Sequence, residues 1–125
     1  LFNYTDLIGV QYKKDGRDIK GLDCYGLVKT LHDRMGKHMP DYATPDEQSL
    51  INQLINMGKS DCEELAEQEP GCIVLFKIPP FSLHMGVVLD KERFVHIIQH
   101  KNVAVERLDS RIWSKLRVGY YRWKI

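Results

Sequence analysis

The hydrophobic pattern of this chain changes period at Pro70-Gly71, and that change limits the folds open to it. Before the break, apolar residues recur at helical spacing, with Leu27, Val28, Leu31 and Met35 in one stripe and Leu50, Leu54 and Ile55 in another. After it come short stretches rich in β-branched and aromatic residues at 72–78, 85–89, 93–98, 103–108 and 118–123, with turn residues between them. Helices first and a strand meander second predict an α+β fold, with N-terminal helices packed on an antiparallel β-sheet. The 125 residues make one domain, 1–125, large enough to hold a core without crosslinks.

Local signals sharpen the elements. Asp23 is placed to N-cap a helix over 23–35, which Gly36 ends. Thr44-Pro45 opens the second helix with proline at an early position. Ser60-Asp61-Cys62-Glu63 matches a capping box and predicts a short acidic helix to about Gln68, with a solvated face of glutamates. Residues 4–21 suggest a short helix or turn followed by a loop, and 109–115 a single helical turn.

Charge excludes some functions. Lys plus Arg is 18 and Asp plus Glu is 17, so bulk charge does not recruit a polyanion. The longest apolar run, 73–76, is too short for a bilayer, and no membrane insertion is expected. From Ser110 onward basic residues alternate with Trp113, Tyr120, Tyr121 and Trp123. Such interleaving suits single-stranded nucleic acid, but it also describes a final strand with aromatics inward and cations outward. The second reading is expected, with no nucleic-acid partner.

The three cysteines, Cys24, Cys62 and Cys72, are an odd count with no C-x-x-C pair, so the question is which thiol reacts. Cys62 and Cys72 read as structural. Cys24 falls in the first turn of the predicted helix, where unpaired N–H groups and the positive dipole end lower a thiol's pKa and can hold an oxyanion. His84 opens the 85–89 strand, and His96 follows at an even offset across a turn, which puts both imidazoles on one face. Cys24, His84 and His96 can therefore supply a nucleophile, its base and a group that orients the base. His100, four residues beyond, is the rival of His96. The remaining histidines match no zinc spacing, so no metal and no cofactor are expected.

These motifs resemble the NlpC-type cysteine peptidases, cell-wall hydrolases with a papain-like core. Asp23-Cys24-Tyr25-Gly26-Leu27-Val28 matches the nucleophile motif, His84-Met85-Gly86 the first histidine strand, and Phe94-Val95-His96 the second. Tyr12 matches the tyrosine upstream of the cysteine. Gly16-Arg17, Met39-Pro40-Asp41-Tyr42, Trp113 and Gly119-Tyr120-Tyr121-Arg122 resemble the phage and prophage tail-associated branch. Two positions depart from the common pattern: Tyr25, often serine, which reshapes the pocket beside the nucleophile, and Cys72, commonly aspartate.

The resemblance implies a cysteine endopeptidase acting at the bacterial cell wall on peptidoglycan stem peptides, typically between γ-D-glutamate and a diamino acid. Phage-tail proteins would be its further partners. Cys24 would attack, His84 would act as base and then acid, and His96 would orient His84. Tyr12 and the Cys24 N–H would hold the oxyanion, and Asp23 would either bind a substrate amine or cap the helix. An amidase or acyltransferase on the same core, or a non-catalytic tail-tip module, are the alternatives. The first residues carry no basic-then-apolar leader and begin at Leu1, so they identify no compartment.

Overall fold

The computed structural model describes residues 2–41, 46–57, 61–80 and 82–124. Asp23, in extended conformation, caps helix α1 (Cys24–Arg34) by accepting the Gly26 N–H. Leu27, Val28 and Leu31 line its buried side. Gly36, at φ +79°, follows the helix end, where a side chain would be strained. Helix α2 (Glu47–Met57) buries Leu50, Ile51 and Leu54, while Ile55 is half-buried. Its proposed opening at Thr44-Pro45 lies outside the described residues.

The N-terminal stretch forms one 3-10 turn (Thr5–Leu7) and then a hairpin of two-residue strands, β1 (Arg17–Asp18) and β2 (Gly21–Leu22). The main sheet comprises β3 (Cys62–Leu65), β4 (Ile73–Ile78), β5 (Ser82–Val88), β6 (Arg93–His96), β7 (Ala104–Arg107) and β8 (Arg117–Trp123). Its order is β3-β8-β4-β5-β6-β7, with every pairing antiparallel. A short helix, α3 (Arg111–Leu116), precedes β8. This is the expected α+β fold.

Both faces of the sheet are covered, which explains why residues 73–76 are apolar without alternation. Ile73, Leu75, Met85, Val87 and Val95 join α1 and α2 in one core. Val74, Phe76, Val88 and Phe94 join Trp113 of α3 in a second, on the opposite face.

The acidic segment corrects the sequence reading, because Cys62–Leu65 is an edge strand rather than a helix. It pairs with β8 in a register that sets Glu63 opposite Arg122. The Arg122 guanidinium then binds Glu63 and both carboxylate oxygens of Glu69. Cross-strand pairing with a residue some sixty positions away overrides a local capping pattern. The same contacts occupy one of the C-terminal cations, and Trp113 and Trp123 are buried, as the inward-aromatic reading expects.

The start of α1 is packed too closely for any side chain at position 26. A Cβ there would lie 2.1 Å from the Gly16 carbonyl oxygen. Gly26→Ala should therefore push α1 off the β1–β2 hairpin and cost about 1–3 kcal/mol in denaturant unfolding. An unchanged midpoint would refute the close-packing argument.

His32, fully buried on α1, has Nδ1 2.8 Å from the Val28 carbonyl oxygen and leaves Nε2 without a partner. Burial pushes its pKa down to about 4, so the folded state resists a proton that the unfolded state accepts near pH 6.5. The His32 contribution to stability is complete above about pH 6.5 and is lost progressively as pH falls towards 4. Urea midpoints measured across that range should fall with pH in the wild type, and the slope should be flatter in His32→Leu.

Candidate active site

Asp23 organises the helix start. Its carboxylate accepts N–H groups of Gly26 at 2.7 Å and Asp15 at 3.2 Å, and pairs with Arg17 at 2.8 Å. It is fully buried, and Arg17 in turn binds Asp41 at 3.0 Å. Burial raises the Asp23 pKa, opposed by these hydrogen bonds and by Arg17. Of the two roles expected for Asp23, the cap is the one this geometry displays. Tyr25 is fully buried, and its hydroxyl donates to the Pro40 carbonyl.

Cys24 occupies the first position of α1 with only 1 % of its surface exposed. Its backbone N–H donates to Glu47 Oε2 at 2.7 Å, and its sulfur lies by the Met85 N–H of β5. The helix terminus was expected to lower the thiol's pKa. The structure reverses that balance, because burial first and the Glu47 carboxylate second push it well up. The hydroxyl of Tyr12, also expected at the oxyanion, has its pKa raised by burial first and by the same carboxylate second. Glu47 thus stands between the two anticipated oxyanion donors.

The histidines form a directed chain. His84 Nε2 lies 2.7 Å from His96 Nδ1, and His96 Nε2 is hydrogen-bonded to Glu106. Trp113 Nε1 donates to the other Glu106 oxygen at 3.1 Å. Gly86 makes the contact possible. A Cβ at position 86 would lie 3.1 Å from the His96 Cβ, so the bare backbone lets His96 reach along the sheet to His84. His100 is exposed in a turn at φ +67°, so the partner of His84 is His96 and not its rival.

Tautomers follow from the carboxylate. Glu106 accepts a hydrogen bond from His96 Nε2–H, so a neutral His96 is bare at Nδ1. That nitrogen accepts the Nε2–H of His84, and a neutral His84 is then bare at Nδ1, as a general base must be. Burial pushes His84 down to about 3, with His96 adding to the effect, and burial also lowers His96 against the pull of Glu106. Both rings are neutral near pH 7.

Cys24 and the histidine chain meet at β5 without a thiol–imidazole hydrogen bond among the described residues. The thiol shares a core with Met85 and Val87, whereas His84 stacks on Phe76 with ring centroids 5.8 Å apart. Catalytic contacts of this kind often close only with substrate bound. A cleft of about 470 Å³ opens beside His96 and Glu106, walled by Ile98, Ala104, Ile112 and Trp113.

Sequence reasoning missed Glu106 and Glu47. The hairpin register, which pairs Phe94 with Glu106, would have put Glu106 on the His96 face. No local signal marks Glu47. Cys62 and Cys72 carry free thiols, both raised by burial to about 11. Among the described residues, no group of three or more His, Cys, Asp or Glu side chains is arranged to hold a metal ion. Among the described residues no helix is long and apolar enough to cross a membrane.

Comparisons with known proteins agree with this architecture. Residues 9–122 match the model of the NlpC/P60 family. The chain is 29 % identical over 113 residues to the murein DD-endopeptidase MepS/murein LD-carboxypeptidase of Escherichia coli, covering 90 % of this chain and 55 % of that protein. A probable endopeptidase NlpC homolog of Haemophilus influenzae is 24 % identical over the same share of each chain. The chain therefore spans about half the length of the curated relatives it matches. An NLP/P60 family protein of Staphylococcus aureus, similar to lipoprotein, superposes with a TM-score of 0.69 at 21 % identity, over 95 % of this chain and 38 % of that one. The NlpC/p60 domain of the peptidoglycan hydrolase SagA gives 0.66 at 15 % identity, over 94 % and 91 %. With a helix-borne cysteine, two strand-borne histidines and a family match across nearly its whole length, the chain belongs to the NlpC/P60 family.

Proposed function

We propose that this domain is a cysteine peptidase that hydrolyses an amide bond of peptidoglycan stem peptides. The observation that carries the reading is the carboxylate-polarised pair His84–His96, which leaves a base nitrogen on the strand against which Cys24 packs. The names of the relatives, which include murein endopeptidases and a peptidoglycan hydrolase, support the same polymer.

His84 Nδ1 takes the Cys24 thiol proton as sulfur attacks the scissile carbonyl carbon. The carbonyl oxygen becomes an oxyanion facing the Cys24 N–H and the Tyr12 hydroxyl. The C–N bond then breaks, and the imidazolium returns its proton to the leaving amine. Water, deprotonated by His84, attacks the thioester and releases a carboxylate and the free thiol. Because thiol and imidazole are both neutral at rest, the ion pair forms only as the substrate engages. Glu106 stabilises the imidazolium through His96, supplying a negative charge that a bare histidine partner lacks.

The bond between γ-D-glutamate and a diamino acid is the expected target, on the resemblance of the nucleophile motif. The E. coli relative's name combines two specificities, so the bond is the point to determine. The phage-tail context rests on the segments around Gly16-Arg17, Met39-Pro40 and Gly119-Tyr120.

Digestion of purified sacculi, with the soluble fragments identified by mass spectrometry, tests the function. Wild type should release fragments with a new amine and a new carboxylate at one stem-peptide bond. Cys24→Ala should release none, and His84→Ala should be slower by about 10²-fold or more. Cleavage persisting in Cys24→Ala would remove the thiol mechanism, whereas products joined to an added amine would favour an acyltransferase.

Glu106 offers a sharper test through tautomers. Glu106→Gln can donate its amide to His96 Nε2, which reverses the chain and puts a proton on His84 Nδ1. An equivalent amide substitution in a serine-protease triad costs about 10⁴ in kcat. Glu106→Gln should therefore lower kcat by at least about 10², and by more than Glu106→Ala, which offers no donor. An alanine variant as slow as the glutamine one would refute the tautomer role of Glu106.

A further inference from the structure

The mechanism needs the Cys24 N–H and the Tyr12 hydroxyl free for a substrate oxygen, yet both face one carboxylate of the chain itself. Glu47 Oε2 lies 2.7 Å from the Cys24 nitrogen, and the charge of the same side chain acts on the Tyr12 hydroxyl, whose pKa it raises after burial. We propose that the Glu47 carboxylate is a built-in occupant of the oxyanion hole, which the substrate must displace. The proposal rests on the reading of Cys24 as nucleophile.

Position and charge both support it. The first turn of α2 is fastened to the strand that carries the base: Gln48 donates to the Leu83 carbonyl at 2.7 Å and accepts the Leu83 N–H at 2.6 Å. Asp46 adds a cap to the same turn by accepting the Ser49 N–H at 2.8 Å. Glu47 is therefore delivered to the nucleophile by a pinned backbone, one residue from a double hydrogen bond next to His84.

A neutral side chain could satisfy the Cys24 N–H equally well. A carboxylate instead opposes thiolate formation, and Asp23 beside it makes the site more negative still. The charged and titratable groups facing Glu47 are Asp23, Cys24, Tyr12 and Arg17, and Arg17 is already engaged by Asp23 and Asp41. Burial, more than any other influence, raises the Glu47 pKa, against the pull of the Cys24 N–H it accepts. Chemically the group imitates the end of the reaction, because the released acyl product is also a carboxylate beside Cys24.

Displacement by substrate exchanges one oxygen acceptor for another at the Cys24 N–H, beside the Tyr12 hydroxyl. It also removes a negative charge from the neighbourhood of the sulfur. Ionisation of Cys24 would thus be coupled to occupancy of the site, and the thiol would stay protected from adventitious alkylation and oxidation until then.

The test needs no peptidoglycan. Iodoacetamide labelling of Cys24 is followed by peptide mass spectrometry against pH in the full chain, with Cys62 and Cys72 as internal controls. Glu47→Ala should label Cys24 at least about 10-fold faster near pH 7 and move the midpoint to lower pH. Glu47→Gln should fall between, since its amide oxygen can still accept the Cys24 N–H but carries no charge. Added acetate should slow the labelling of Glu47→Ala by refilling the hole, and leave the wild type unchanged.

An unchanged or slower Cys24 rate in the alanine variant, with steady control thiols, overturns the proposal. If the control thiols also react faster, that variant has loosened and Glu47→Gln decides: no gain there overturns it as well. Sacculi left intact by every variant, despite faster labelling, would count against the peptidase reading and not against the occupied hole.

Discussion

The buried carboxylate of Asp23 is the contact on which the candidate site depends. It ends the free run of N–H groups at the start of α1, ties the Asp15 turn to that helix, and neutralises Arg17, which reaches on to Asp41. Three chain segments are thereby fixed to the residue preceding Cys24. A buried pair of this kind contributes little to net stability while whole, yet removing one partner strands the other charge in the interior. What it supplies here is position. Gly26 serves the same end by letting the helix start touch the Gly16 carbonyl, while Gly16 lets the hairpin close on Gly21.

A second constraint comes from the sheet. Its two covered faces bury both partners at β5: His84 packs against Phe76 and Trp113, and Cys24 packs in the core with Met85 and Val87. Burying the two imidazoles makes them neutral, and burying the thiol keeps it protonated. A neutral pair cannot attack until something lowers the cost of separating charge. Glu106 is placed to do so from one end of the chain, through His96. In the proposed mechanism the displacement of Glu47 does so from the other.

Much of this was legible in the sequence, for reasons of range. The Asp23 cap, the apolar stripe of α1 and the even spacing of His84 and His96 are relations within one element or one hairpin, where periodicity carries geometry. The failures all involve distant partners. Residues 60–63 match a helix-capping pattern, yet 62–65 pair as a strand, because Arg122 and β8 offer more than an isolated turn can. Glu106 needed the β6–β7 register, which the loop between them does not announce. Glu47 needed the docking of α2 on β5, which two hydrogen bonds from Gln48 determine and no local pattern reveals.

The expectation of an acidic thiol failed for a related reason. A helix terminus favours an anion only by an amount that the surroundings can outweigh, and its field falls off within a turn. At Cys24 that amount competes with near-complete burial and with a carboxylate bonded to the very N–H that should stabilise the thiolate. The same helix start thus has opposite effects depending on what occupies it. With Glu47 present, its donors hold a negative charge that repels ionisation. In the proposed mechanism a substrate carbonyl there would present an oxygen that becomes negative only as sulfur attacks, and the dipole would then act on the transition state rather than on the resting thiol.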